Sequence, residues 1–297
     1  MTLKVLILGS EGFVGNNLVE ELRKSHEIIA ADQIDSTHHK NYVKFDITNY
    51  ESIQKIIKDV DVVINLVAHS LVSSIDQTIQ NAHVNIIGLL NVLESCRQNK
   101  IKKIIFTSAS SLIGEPQTYK VSETHVAKPR TAYGITKLAS EHYLRLYQEL
   151  YGLRYVVFRF FNIYGDYQKN GLIPSLYGRI TKNEPLTVFG KGDQIRDYVY
   201  IKDIIPFFED AVSKKEVDNS VFNLGTGSGA TILDVINTMS KIMKISPNIE
   251  FKPPRPGEIG NFVSDITHLQ KTFGRVPDTP LEAGLNKTIS WLKNNYQ

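Results

Sequence analysis

Cysteine is almost missing from this sequence. A single residue, Cys96, in 297 excludes an internal disulfide, and its place in a helical pattern reads as a small buried hydrophobe rather than a nucleophile. Long apolar runs are missing too. DVVINLVA, from Asp61, has the length of a strand and falls far short of the ~20 residues that a membrane-spanning helix needs. Eight histidines show no HExxH or other ligand spacing, so no metal is expected. An excess of one charge is also lacking: 34 basic against 31 acidic residues leave +3, without a basic stripe, and nucleic-acid binding gains no support. The run KIKK at Lys100 to Lys103 reads as a solvated corner between helix and strand. No period of 20 to 50 residues repeats, and no low-complexity linker appears. The N-terminal LKVLILG carries no cleavage site and runs directly into a glycine pattern, so a cytoplasmic location is expected.

What the chain does have is ordinary globular composition, 42% hydrophobic and 22% charged. Up to about residue 161, β-rich runs alternate with helical periods, which predicts βα units around a parallel sheet. The predicted strands are Lys4 to Leu8, Glu27 to Ala31, Asp61 to Val67, Lys103 to Thr107 and Arg154 to Phe160. The predicted helices run from Gly12 to Lys24, Ile53 to Lys58, Ile79 to Asn99 and Tyr133 to Tyr151. After Asn162, Pro174, Pro185, Pro206, the turn GKGD and the run PPRPGE punctuate shorter elements. The expected fold is therefore α/β: a Rossmann-type doubly wound parallel sheet over residues 1–165, helped by segments from about 197–228, with a smaller substrate-binding subdomain over most of 166–297.

The stretch GSEGFVG puts Gly9, Gly12 and Gly15 between the strand-like VLIL and an amphipathic helix. Glycines there permit a tight turn and let the helix N-terminus offer its N–H groups to a pyrophosphate. The next strand, EIIAA, ends at Asp32, where a carboxylate can accept from a ribose 2′-hydroxyl and repel a 2′-phosphate. NAD is thus expected over NADP. Asp46, in FDIT, reads on its own as a helix-flanking cap.

YGITK places Tyr133 and Lys137 four residues apart on one helix face. A free phenol titrates near ~10 and is a poor base at neutral pH. An ammonium beside it, together with the positive charge of an oxidised nicotinamide, would stabilise the phenolate and make Tyr133 a general base. The same helix carries two apolar stripes, Ala139–Tyr143–Leu146–Leu150 and Leu144–Tyr147–Tyr151. Either the sheet covers the first and a second subunit the other, or one wide stripe faces the core.

Taken in order, GSEGFVG, NLVA at Asn65, Asn85, YGITK, RFFNIYG, QIRDYVYIKD, FNLGTG and RPGE with its following SDI resemble the extended short-chain dehydrogenases/reductases, in particular nucleotide-sugar epimerases and dehydratases. The likeness spans Val5 to Trp291. It implies that Gly9, Gly12, Phe13, Val14 and Gly15 hold the NAD pyrophosphate, Asp32 the adenosine ribose, and Asp46 with Ile47 the adenine. It further implies that Leu66, Val67 and Ala68, with Asn85, lead to the nicotinamide ribose that Tyr133 and Lys137 contact. Asn162 then becomes a substrate residue, and Arg196 and Arg255 become the guanidinium forks on a sugar-nucleotide diphosphate. A homodimer through the helices near 79–99 and 133–151 is expected.

One segment departs from the pattern. In IIFTSASSLIG the position where the family has a relay serine or threonine is Ala109, and the two positions that are acidic in dehydratases are Ser110 and Ser111. Dehydration then has no evident acid and base, and Ser110 or Ser111 is expected to replace the relay. Alternation favours Ser111 if the strand continues, while Ser110 would serve only after a bend. Tyr133 could also meet the sugar hydroxyl directly, or the hydroxyls could simply cap the strand end. The reading is an NAD-dependent nucleotide-sugar 4-epimerase of the UDP-glucose/UDP-galactose type. Phe262 is expected as a size gate that hinders an N-acetyl group. A 4-ketoreductase and a non-catalytic NAD-binding regulator are the rivals.

Overall fold

The computed structural model describes residues 2–35, 39–254 and 259–295. Seven strands form one sheet in the order Tyr42–Lys44, Glu27–Asp32, Lys4–Leu8, Val62–Asn65, Lys103–Ala109, Arg154–Phe160 and Ser220–Leu224. Every neighbouring pair is parallel. Strand direction of travel reverses between Lys4–Leu8 and Val62–Asn65, which opens a crevice at their C-terminal ends.

Side chains leave a strand alternately to its two faces, so a sheet covered on both sides reads as a continuous apolar run. Val5 and Ile7 enter one core, with Leu18 and Leu22 of helix Phe13–Leu22 and Ile204 and Phe208 of helix Ile201–Ser213. Leu6 and Leu8 enter the other, with Ile53, Leu89, Val92 and Leu144. Cys96 lies in this second core at 0% exposure, where burial pushes its thiol up and keeps it inert, as expected.

Three sequence expectations need correction. The strand Lys103–Ala109 stops at Ala109, and Ser110–Leu112 form a 3₁₀ turn, so strand alternation does not extend to Ser111. On helix Ala132–Tyr151 both stripes are split: Leu144 is buried and Tyr143 and Tyr147 pack against the second core, whereas Leu146, Leu150 and Tyr151 are exposed. The helix predicted from Ile79 is interrupted by a π-helical turn, His83–Ile87, between Thr78–Ala82 and Gly88–Gln98. Among the described residues, no helix is long and apolar enough to cross a membrane.

Candidate active site

The cleft at the sheet's switch point has a volume of about 470 Å³, and Gly9, Gly12, Asp32, Asp46, Ile47, Leu66, Val67 and Ala68 line it. Backbone geometry builds its floor. Gly9 has φ +87°, and a Cβ on Gly15 would sit 2.1 Å from the Gly9 carbonyl oxygen, so helix and loop can touch only without side chains. Gly12 caps helix Phe13–Leu22 with no side-chain hydrogen bond, which leaves the first-turn N–H groups, with those of Phe13 and Val14, for an anion. The Asp32 carboxylate accepts from the backbone N–H of Glu11 (3.0 Å) and of Gln33 (2.7 Å), fixing it at the rim. Asp46 accepts from the Thr48 N–H and hydroxyl, and a Cβ on Gly88 would fall 2.9 Å from Ile47, so this glycine lets a helix press Ile47 into place. Glycine cradle, helix terminus and rim carboxylate fit a dinucleotide. Phe45, His69, Ser70 and Ser73 also line the cleft; sequence reasoning missed them, since no motif marks them.

Helix Ala132–Tyr151 starts where the Thr131 hydroxyl accepts from the Gly134 N–H (3.0 Å). That cap sets Tyr133 in the first turn and Lys137 one turn on. Lys137 is buried; its Nζ donates to the Thr107 carbonyl (2.7 Å), lies 4.6 Å from the Phe106 ring centre and 5.5 Å from that of Tyr133. Desolvation dominates both groups. It lowers the Lys137 pKa to about 7, partly countered by Glu141, and raises that of Tyr133 to about 12. Without a bound positive charge the phenol is therefore an acid, and the ammonium alone does not ionise it. Asn85 bonds to the protein on both sides. Its oxygen accepts from the His69 N–H (2.7 Å) and its amide donates to the Thr136 hydroxyl (3.0 Å). It thereby ties the cleft wall to the helix of Tyr133, aided by Asn81. Ser111 has a buried hydroxyl with no hydrogen-bond partner, and its carbonyl stands 2.6 Å from where a Gly134 Cβ would be.

The C-terminal side is less converged. Asn162 is exposed and its amide donates to the Asp197 carbonyl (3.3 Å). Arg196 donates to the carbonyls of Ile195, Gly260 and Ile259 at 2.7, 3.2 and 3.0 Å. Phe262 is only 6% exposed, with its ring 5.8 Å from that of Phe161. The ring expected as a size gate thus packs against the core. Arg255 lies outside the described residues. Among the described residues there is no group of three or more His, Cys, Asp or Glu that could hold a metal ion.

A dinucleotide cleft at a doubly wound sheet's switch point, with a tyrosine and lysine on the helix beside it, defines an enzyme of the extended short-chain dehydrogenase/reductase class. The chain belongs to the NAD dependent epimerase/dehydratase family, whose model matches residues 5–225. It is similar over its length to solved structures of 4-epimerases. A UDP-glucose 4-epimerase of Thermotoga maritima with UDP-glucose is 30% identical, with a TM-score of 0.92, covering 99% of this chain and 100% of that one. A UDP-glucuronic acid 4-epimerase of Bacillus cereus with UDP-glucuronic acid and NAD is 29% identical, TM-score 0.91, covering 99% and 100%. A UDP-N-acetylglucosamine 4-epimerase of Methanobrevibacter ruminantium in complex with UDP-N-acetylmuramic acid is 28% identical, TM-score 0.92, covering 99% of both chains. The enzyme is an isomerase-type, NAD-dependent epimerase.

Proposed function

We propose that the chain interconverts UDP-sugars epimeric at C4, with UDP-glucose and UDP-galactose as the favoured pair. The observation that carries this reading is the double fastening of the Tyr133–Lys137 helix to the dinucleotide cleft. Asn85 joins Thr136 to the wall at His69, and Lys137 holds the Thr107 carbonyl in the strand next to Asn65. The similarity to the Thermotoga enzyme supports the hexose pair. Asp32 at the rim argues against the 2′-phosphate of NADP and hence against a reductase, while a regulator that only binds NAD has no use for a tyrosine and a lysine so placed.

Bound NAD supplies the hydride acceptor and donor. Tyr133 takes the proton from the sugar's 4-hydroxyl and returns it after the ring has presented its other face. Before that step the desolvated amine of Lys137 accepts the phenol's own proton, leaving a phenolate beside an ammonium and the positive charge that bound NAD would supply, so the two groups act as one titrating unit. We infer that Ser111, in the 3₁₀ turn after Ala109, replaces the hydroxyl absent there; the support is that its buried oxygen has no partner within the protein. With Ser110 and Ser111 in place of acids, no carboxylate stands there to eliminate water. Ile79, Ile87, Ile135, Leu146 and Leu150, exposed on the two adjoining helices, support a homodimer.

The test is to incubate purified protein with UDP-glucose, UDP-N-acetylglucosamine and UDP-glucuronic acid in turn, without added cofactor, and to follow the anomeric signals by NMR. UDP-galactose is the expected product from UDP-glucose. Silence on all three until reduced nicotinamide and a keto sugar are added would overturn the epimerase in favour of a reductase.

A further inference from the structure

Asp197 has no solvent exposure, although a carboxylate loses its hydration when it is buried and needs donors in return. It has five. One carboxylate oxygen accepts from the Thr226 N–H (2.8 Å) and hydroxyl (2.7 Å). The other accepts from the Gly227 N–H (3.0 Å), the Ser264 N–H (3.1 Å) and the Ser264 hydroxyl (2.5 Å). All five donors are uncharged, so the group gathers chain segments rather than a counter-ion. The room for it is provided by Gly225: a Cβ there would stand 2.6 Å from the carboxylate and 2.1 Å from the Ser264 oxygen.

The segments so gathered carry the substrate-side residues. The carbonyl of Asp197 accepts from the Asn162 N–H (2.9 Å) and side-chain amide (3.3 Å). Asp197 directly follows Arg196, whose guanidinium holds the carbonyls of Ile259 and Gly260, and the Ile195 N–H donates to the Asn261 side chain (2.9 Å). Ser264 belongs to the short strand Val263–Ser264, which pairs with Lys120–Val121 and follows Phe262. Asp197 thus meets Asn162 through its carbonyl and the Ser264 segment through its carboxylate, next in the chain to Arg196.

We propose that Asp197 is the positioning residue of the nucleotide-sugar side: its carboxylate, clasped by Thr226, Gly227 and Ser264, fixes Asn162 and Arg196 for a nucleoside diphosphate without touching it. The proposal rests on the UDP-sugar reading above. Asp197→Asn is nearly isosteric, but whichever way its amide is turned, an N–H group faces another N–H donor, so the clasp opens. The measurement is a titration of UDP into the purified protein by calorimetry, beside the NAD retained per chain, kcat and KM. Asp197→Asn is expected to weaken UDP and raise KM about ten-fold, with kcat and retained NAD held within about two-fold. Ser264→Ala removes one donor and keeps the charge, and is expected to shift UDP affinity about three-fold in the same direction.

A soluble Asp197→Asn protein with wild-type UDP affinity would overturn the proposal. So would a fall in kcat at constant KM, or a loss of NAD in step with UDP, since a merely structural defect moves these together. If Asp197→Asn does not fold, an unchanged UDP affinity in Ser264→Ala overturns it. Wild-type protein that binds UDP yet epimerises no sugar refutes the proposed reaction while the UDP titrations still decide the role of Asp197. Wild-type protein that binds no UDP refutes the positioning proposal itself.

Discussion

The two halves of the site differ in what holds them. On the dinucleotide side, main chain does the shaping. Glycines at 9, 12 and 15 let backbone meet backbone, and a helix terminus offers N–H groups whose direction is set by secondary structure. On the side proposed for the sugar, side chains do it: Arg196 is bonded to loop carbonyls, Asn162 to the Asp197 carbonyl, and Phe262 packs on Phe161. A main-chain site exists once the fold exists, whereas a side-chain site has polar groups that bond to one another until a ligand competes for them. On the proposed function, the difference implies that a sugar would compete with contacts already made, whereas a dinucleotide would meet contacts left open.

The largest effect that bears on this contrast belongs to Tyr133. Tyr133→Phe keeps the ring and removes the proton acceptor, so kcat should fall about 10²–10⁴-fold while NAD remains bound; turnover near wild type by NMR would remove Tyr133 from the chemistry. Gly15→Ala attacks the other half. Its methyl would stand 2.1 Å from a carbonyl oxygen, and rigid backbone cannot yield as a side chain would. The protein should lose its copurified NAD and about 2–3 kcal/mol of stability, read by absorbance and by urea unfolding. Retention of NAD would mean that the cradle is looser than its geometry.

Lys137 permits a test of electrostatics alone. Its pKa is about 7 in the fold against 10.5 ordinarily. Between these values the unfolded chain binds the proton and the native one does not, so stability rises with pH across that window and is level below it. Groups facing the amine are the Thr107 carbonyl, the Phe106 and Tyr133 rings and Glu141. Tyr133, at about 12, keeps its proton in both states below pH ~9. Relative to Lys137→Met, cofactor-stripped protein should gain about 1–3 kcal/mol between pH 7 and 9 in urea unfolding. A difference independent of pH would show that the amine is solvated.

How much of this was legible follows the same division. The glycine loop and Asp32 each lie in one short stretch whose pattern points to its use, and Leu66–Ala68 are implied by the family resemblance; Gly9, Gly12, Asp32 and Leu66–Ala68 all line the cleft. The clasp around Asp197 is not legible in sequence because its partners lie 29, 30 and 67 residues away: QIRDYVYIKD, FNLGTG and SDI each stand out as separate stretches, and nothing in them says that they meet. The burial of Phe262 is not legible either, because an aromatic seven residues past an arginine says nothing about which way the ring turns. The edge strand Tyr42–Lys44 was unreadable for want of apolar alternation, with Val43 and Lys44 exposed. The π-helical turn at His83–Ile87 adds a residue within a helix and changes no composition; it holds Asn85 so that its amide bonds to His69 and Thr136.

The smallest expected effect discriminates most finely, because it lies where the halves meet. Alternation alone favours Ser111 for a continuing strand and Ser110 after a bend, but the strand ends at Ala109 and both serines lie in the turn that follows. The 3₁₀ turn then leaves the Ser111 hydroxyl buried and unbonded, beside the first turn of the helix that carries Tyr133. An unpaired buried hydroxyl costs about 1–3 kcal/mol, and a ligand oxygen that bonds it recovers part of that cost. Ser111→Ala should therefore lower kcat about ten-fold, and stabilise the ligand-free fold slightly, because the orphan polar atom is gone. Ser110→Ala should leave kcat within about two-fold, and Ala109→Ser in the Ser111→Ala background should restore part of the loss by returning a hydroxyl to the strand end. Equal losses in the two single variants would show that the turn's backbone, rather than one hydroxyl, serves the sugar. No loss in either would mean that Tyr133 meets the 4-hydroxyl alone.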